Sequence, residues 1–129
     1  MSRLIKSLVL LTVALLAIPA FANAAWRVYS PADFQTLQSK GKTIVVDVHA
    51  DWCPTCRAQQ PTLEALRTDP RLKSVTFVRV DFDRDRDFLR RFQIPRQSTI
   101  LVFKGKRETA RSIAETRPAL LRAAVLAGL

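Results

Sequence analysis

The sequence predicts an α/β fold, with a central mixed β-sheet flanked by helices and preceded by an N-terminal signal peptide. Apolar β-branched runs alternate with stretches that carry apolar residues at helical spacing, a pattern typical of α/β domains. The β-branched runs are apolar enough to need cover on both faces. About 105 residues remain beyond the signal peptide, which suits one domain. We therefore expect a signal peptide at residues 1–24 and one domain at residues 25–129.

The first residues of the chain indicate the signal peptide. Arg3 and Lys6 precede an uncharged apolar run from Leu8 to Ile18, the order expected of its n-region and h-region. The run is shorter than the roughly 20 residues that a helix needs to cross a bilayer. Ala20-Phe21-Ala22 and Ala22-Asn23-Ala24 then offer the small residues that a signal peptidase reads. We expect export to a periplasm, with secretion and a retained membrane anchor as the alternatives.

The first helix and the first strand are marked by their end signals. Ser30 is the predicted N-cap, Pro31 takes the first helical position, and Asp33 stands where the acid of a capping box would be. Gly41 is expected to end this helix. Residues 43–48 form a β-branched run that contains one acid, and they predict a fully buried strand.

The remaining elements follow in regular alternation. The apolar and small residues after Cys56 predict a helix that reaches about Arg67, with Pro61 kinking it. The later apolar runs predict a strand from Val75 to Val80, a helix from Arg84 to Phe92, a strand from Thr99 to Phe103, a weaker strand from Arg107 to Arg111, and a last helix capped by Thr116.

The charge of the chain is strongly positive. The formal net charge is +10, and loss of Arg3 and Lys6 with the signal peptide leaves +8. Such a charge suits acidic partners or an anionic membrane surface. Over residues 81–87, however, arginines alternate with aspartates, which favours a solvated face over a basic block. We expect no nucleic-acid partner.

The two cysteines of the chain, Cys53 and Cys56, are three residues apart. A disulfide that closes so short a loop removes little entropy from the unfolded chain, so a purely structural bridge is disfavoured. A zinc site needs about four ligands, and the chain offers one histidine besides these thiols. The spacing, after a buried strand and at a helix start, predicts a redox dithiol. We expect no metal and no organic cofactor, only a reversible Cys53–Cys56 disulfide.

Position assigns the two thiols different roles. Cys53 is expected at the helix N-terminus, where unpaired N–H groups and the helix dipole favour its thiolate. Cys56 lies one turn further along, close enough to resolve a mixed disulfide.

The segment from Val46 to Arg57, with Trp52-Cys53-Pro54-Thr55-Cys56 within it, resembles the strand and active-site segment of the thioredoxin family. Pro61 stands five residues after Cys56, where that family has its kinking proline. The resemblance covers nearly all of residues 25–129. It implies a thioredoxin fold and thiol-disulfide exchange.

The resemblance also implies roles for residues beside the dithiol. Asp47 matches the buried acid of the family, whose pKa burial should raise, and it would serve Cys56 as a general base; local hydrogen bonding is the alternative. Arg79 falls where the family often has a lysine and would oppose that rise. His49 replaces a usual aromatic residue, and both a pH-sensitive role and simple packing stay open.

Substrate contacts are expected from Trp52, Pro54 and Thr55, although rim packing is an alternative for Trp52. They are also expected from a loop that contains Gln97 and Ser98.

The family has a cis-proline in this loop, five residues before a strand phenylalanine. Counting back from Phe103 gives Ser98, and Pro95 lies three residues too early. A cis and a trans peptide before Ser98 are both open, and the space left by the missing proline ring keeps metal or cluster binding by a dimer as a minor alternative. Ala114 stands where the family has a glycine.

These features predict a monomeric reductant of disulfides in exported substrate proteins, itself re-reduced by a membrane-borne thiol-disulfide donor. The chain from Arg57 to Phe103 is too short for the helical insertion of periplasmic disulfide oxidases. The dithiol segment also resembles the thioredoxin-like domains of periplasmic electron relays. The alternatives are an oxidase or isomerase on the same fold, and a binding module without turnover.

Overall fold

A computed structural model describes residues 25–129 of the 129-residue chain. The predicted signal peptide lies outside the described residues. The elements are β1 (Arg27–Val28), α1 (Pro31–Ser39), β2 (Thr43–His49), α2 (Pro54–Arg67), β3 (Thr76–Asp81), α3 (Arg86–Arg91), β4 (Thr99–Lys104), β5 (Arg107–Ile113) and α4 (Pro118–Gly128), with a short 3-10 turn at Pro70–Leu72.

The strands form one mixed sheet in the order β1-β3-β2-β4-β5. β3 runs parallel to both β1 and β2, whereas β4 runs antiparallel to both β2 and β5. β2 is therefore the central strand, with a paired neighbour on each side. The predicted α/β fold with a central mixed sheet is confirmed.

Helices cover both faces of the sheet. Alternate residues of β2 point to opposite faces: Val46 packs with side chains from α1 and α3, whereas Val45 packs with side chains from α2 and α4. The first face holds a group of aromatic rings that includes Phe34, Phe88 and Phe103. Asp47 has the parity of Val45, so it lies on the face that α2 covers.

The helix signals read from the sequence are confirmed at α1 and wrong at α4. The Asp33 N–H donates to Ser30 Oγ at 3.3 Å, as an N-cap requires. At the last helix, Arg117 is the N-cap and Pro118 takes the first position, so Thr116 is not the cap. The fixed φ of proline suits the first helical position, which places the start one residue later.

Two other boundaries differ from the prediction. α3 begins at Arg86 because the Asp81 carboxylate accepts the N–H groups of Asp83 and Arg84 and holds them in a turn. β1 was not predicted, since a two-residue strand has no readable period. No helix within residues 25–129 is long and apolar enough to span a bilayer.

Candidate active site

Three loops meet at the carboxyl end of β2. The carbonyls of Val48, His49 and Ala50 accept the N–H groups of Ser98, Phe82 and Cys53 at 2.8, 2.9 and 3.1 Å respectively. Consecutive residues at the end of the central strand thus hold the dithiol, the loop after β3 and the loop before β4. These bonds bring the predicted residues Cys53 and Ser98 together.

Cys53 is the N-cap of α2. Its backbone is extended, with φ −84° and ψ 112°, and its Sγ accepts the Cys56 N–H at 3.1 Å. Pro54 fills the first helical position, where a missing N–H costs nothing. The sulfur therefore takes the place of a capping oxygen, at the end of the helix that favours negative charge.

The loop before β4 also reaches the dithiol. Ser98 Oγ lies 3.2 Å from Cys53 Sγ and 3.3 Å from Cys56 Sγ, and Gln97 precedes Ser98 in this loop. Cys53, Cys56 and Ser98 are fully buried. A substrate must therefore displace neighbouring side chains to reach Cys53 Sγ.

The surroundings shift the pKa values of the two thiols in opposite directions. Burial disfavours the Cys53 thiolate, but hydrogen bonds from Cys56, Ser98 and Gln97 outweigh burial and lower the pKa of Cys53. Burial, together with the hydrogen bond to Cys53, raises the pKa of Cys56. Cys53 is thus the thiol that ionises first, and Cys56 holds its proton.

Asp47 is fully buried beside α2. Its Oδ2 accepts from Arg79 at 3.1 Å and from Gln60 at 3.2 Å, and it lies 3.8 Å from His49 Nδ1. Among the described residues its Oδ1 has no hydrogen-bond partner. Burial raises the pKa of Asp47, and the opposing pull of Arg79 does not cancel this rise. The role of Asp47 as general base to Cys56 stays a prediction.

Gln60 connects Asp47 to the dithiol helix, a contact that the sequence prediction missed. Its Nε2 also donates to the Cys56 carbonyl at 3.3 Å, and its Oε1 accepts from Arg79. The guanidinium of Arg79 lies 4.4 Å from the centre of the Trp26 ring, which holds it in place. The sequence did contain a signal for this contact, because Gln60 follows Cys56 by four residues and residues four apart share a helix face.

The loop before β4 takes the trans alternative, with a backbone conformation that the sequence did not predict. The peptide before Ser98 is trans, as are all peptides in residues 25–129, but Ser98 has φ +65°. Its carbonyl accepts the Gln59 amide at 3.2 Å and the Ala114 N–H at 3.0 Å, and its own N–H binds Val48. A substrate that paired with the Ser98 backbone would have to displace these bonds.

Gln59 is a second residue that sequence reasoning missed. It is fully buried on α2, and its amide also donates to the Glu115 carbonyl at 3.0 Å. It joins the helix of the dithiol to the loop of Ser98 and to the segment after β5. Its spacing of three residues from Cys56 was the available signal.

The remaining predicted contact residues form the rim around Cys53. Trp52 is 55% exposed, and its Nε1 donates to Asp83 at 2.8 Å. Pro54 is exposed and Thr55 half-buried. A cavity of about 580 Å³ opens beside Trp52 and is also lined by His49, whose Nε2 lies 3.3 Å from the Asp51 carboxylate. In residues 25–129 no group of three His, Cys, Asp or Glu side chains is arranged to hold a metal ion.

A helix-capping thiol backed by a second, protonated thiol at the end of a central strand defines a site for thiol-disulfide exchange. The thioredoxin family model matches residues 26–126, and the chain belongs to the thioredoxin family. It is a thioredoxin-type thiol-disulfide oxidoreductase with two close cysteines. The resemblance inferred from residues 46–57 is confirmed.

Individual relatives support this placement. The chain is 33% identical over 93 residues to a thioredoxin of Mycobacterium tuberculosis, a match that covers 70% of this chain and 79% of that protein. It is 31% identical over 90 residues to a bifunctional thioredoxin reductase/thioredoxin of Mycobacterium leprae; this match covers 69% of the chain but spans only 19% of that longer protein. The crystal structure of Trxlp from Edwardsiella tarda superposes with a TM-score of 0.73 at 35% identity, covering 77% of this chain and 96% of that one.

Proposed function

We propose that the protein reduces disulfides in exported substrate proteins. The observation that carries the proposal is the position of Cys53 Sγ as the cap of α2, where it accepts the Cys56 N–H. The Ser98 hydroxyl lies within hydrogen-bond distance of both Cys53 Sγ and Cys56 Sγ. This arrangement supplies an attacking thiolate and a resolving thiol at one place.

The reaction takes two exchange steps. The Cys53 thiolate attacks one sulfur of the substrate disulfide, the substrate S–S bond breaks, and the other substrate sulfur leaves as a thiolate that takes up a proton. Cys56 then loses its proton and attacks Cys53 Sγ. The mixed disulfide breaks, the second substrate sulfur leaves as a thiol, and the two electrons of the dithiol now reside in the substrate.

We propose that a membrane-borne thiol-disulfide donor re-reduces the Cys53–Cys56 disulfide in the periplasm. Export is supported by the apolar run from Leu8 to Ile18 and the small residues after it. Between α2 and β4 the chain forms only a 3-10 turn, β3 and the six-residue α3, so it has no room for a large helical insertion. We expect the exchange unit to be monomeric and to need neither an organic cofactor nor a nucleic acid.

A second candidate is an oxidase or isomerase on the same fold. The donors around Cys53 favour it, because stabilising the thiolate stabilises the reduced protein and raises the reduction potential. Which direction operates depends on the size of that stabilisation.

The deciding measurement is the reduction potential of the Cys53/Cys56 pair, equilibrated against glutathione and dithiothreitol buffers. A value of about −250 mV or lower supports the reductant. A value above about −180 mV excludes that direction and makes the protein an oxidant or isomerase.

A trapping experiment tests the exchange itself. The Cys56→Ser variant should accumulate a mixed disulfide through Cys53 with periplasmic proteins, because the resolving thiol is gone. Cys53→Ser is the matched control and should trap nothing. A binding module without turnover would retain the same partners in both variants, and by non-covalent contacts only.

A further inference from the structure

The hydroxyl of Ser98 is the one side-chain group in residues 25–129 that hydrogen-bonds to both sulfurs of the dithiol. We propose that Ser98 is a catalytic residue, whose hydroxyl accepts a hydrogen bond from the Cys56 thiol and donates one to the Cys53 thiolate. The inference rests on the proposed exchange function and assigns Ser98 to its proton transfers, whereas the sequence had suggested only a substrate contact.

The number of hydrogens decides the direction of this bridge. A serine hydroxyl has one hydrogen to donate and lone pairs to accept with. When one thiol is ionised and the other is not, the hydroxyl therefore accepts from the thiol and donates to the thiolate. The Cys56 N–H also donates to Cys53 Sγ, at 3.1 Å, so the negative charge belongs on Cys53 and the proton on Cys56.

The backbone of Ser98 holds the hydroxyl at this place. Ser98 lies in the left-handed region, with φ +65°, which disfavours any residue with a Cβ. Its N–H is bound to the Val48 carbonyl, and its carbonyl accepts from Gln59 and Ala114. Strain of this kind persists where surrounding bonds over-determine it, and it clusters at functional sites. Here its result is a hydroxyl aimed between two sulfurs.

The same hydroxyl gives the second exchange step a path for its proton. As Cys56 Sγ attacks Cys53 Sγ, Ser98 Oγ takes the Cys56 proton and passes its own hydrogen to the substrate sulfur that leaves Cys53. One S–S bond forms, one breaks, and Ser98 ends unchanged. In the described part of the chain Asp47 hydrogen-bonds to neither sulfur, since its bonds go to Arg79 and Gln60.

The test uses two substitutions that remove the hydroxyl with different effects on the backbone. Ser98→Ala keeps a Cβ in the left-handed conformation, whereas Ser98→Gly relieves it. The thiolate of each reduced protein is titrated by its absorbance at 240 nm, and the rate of Cys53 alkylation by iodoacetamide is measured against pH. Ser112→Ala is the matched control, because it removes a hydroxyl from β5 at the position opposite Ile100.

We expect both Ser98 variants to raise the pKa of Cys53 by about one unit, because a hydrogen bond to a charged group is lost. At a pH below that pKa, alkylation should slow about tenfold, and Ser112→Ala should match the wild type. The proposal is overturned if Ser98→Gly titrates like the wild type. A shift confined to Ser98→Ala would come from the strained backbone, and no shift in either variant would show that the hydroxyl does not stabilise the thiolate.

The readouts separate this inference from the proposed function. Titration and alkylation need no protein substrate. If the Ser98 variants shift the pKa of Cys53 but the wild type reduces no exported disulfide, the role of Ser98 stands and the proposed reductant is excluded. If the pKa of Cys53 does not shift but the wild type is an active reductant, the role of Ser98 is excluded and the proposed function stands. Near-ultraviolet circular dichroism shows whether each variant retains the native packing.

Discussion

Replacing Asp47 by asparagine tests the electrostatics beneath the dithiol. The carboxylate is fully buried, and only its Oδ2 has hydrogen-bond partners in residues 25–129. An ionised oxygen without a partner is more costly to bury than an amide atom. We expect D47N to be more stable than the wild type by about 1–3 kcal/mol at pH 7. Loss of the Arg79 ion pair opposes this gain weakly, because the Arg79 side chain is 29% exposed and its guanidinium also stacks on Trp26.

The direction of the Asp47 pKa shift determines how the stability difference between D47N and the wild type changes with pH. Burial raises the pKa of Asp47 in the folded protein above its unfolded value. Below the unfolded value of roughly 3.9 the carboxyl is protonated in both states, and its ionisation costs nothing. As the pH rises through the folded-state pKa, the wild type loses stability that D47N keeps. The advantage of D47N should therefore shrink as the pH falls from the folded-state pKa of Asp47 towards about 4, and it should be smallest below that value.

The assay is urea unfolding of the oxidised proteins between pH 3 and 8, since neither cysteine titrates in the disulfide form. Glu115→Gln is a control of opposite sign, because its hydrogen bonds with Arg117 lower the pKa of Glu115 to about 2. That variant should be less stable than the wild type at pH 7, and the difference should vanish in acid. An advantage of D47N that is constant with pH, or that grows in acid, would refute the assignment of a raised pKa to Asp47.

Two further predictions concern the fold. Ser30→Ala should destabilise the protein by about 1 kcal/mol in urea unfolding, because it removes the α1 cap, whereas Thr116→Ala should have little effect, since Arg117 is the α4 cap; equal losses would contradict this assignment of caps. Gly128→Ala should cost about 1–3 kcal/mol by the same measurement. Its Cβ would come within 2.7 Å of the Ala110 Cβ and 2.8 Å of the Val102 Cβ, and the exposed Ala127→Gly is the control for helix propensity at this end of α4. An unchanged midpoint for Gly128→Ala would show that α4 can move off the sheet.

The parts of the site that the sequence predicted are those encoded locally. Cys53 and Cys56 are three residues apart, next to a strand whose β-branched run is plain, and their surroundings follow from the helix start itself. Asp47 was readable for the same reason, as one acid inside an apolar strand.

The parts that sequence reasoning missed depend on long-range contacts. Ser98 was placed in the loop that faces substrate, but its bond to Cys53 joins residues 45 apart in the sequence and depends on a left-handed backbone that no motif marks. Gln59 and Gln60 were passed over because glutamine in a helix is usually a surface residue. Only the packing of α2 against the sheet shows that Gln59 is buried.

The contacts at the end of β2 determine which segments of this protein another scaffold would need in order to reproduce its redox site. Residues 52–56 alone, grafted onto the start of another helix, would carry both thiols and the Cys56 N–H, but not the Ser98 hydroxyl. That hydroxyl belongs to a loop whose position depends on the Val48 carbonyl and on the antiparallel register of β2 with β4. The smallest portable unit is therefore a strand pair with its two loops and one helix, and a designed scaffold without a neighbouring antiparallel strand would receive a dithiol that lacks the Ser98 hydroxyl.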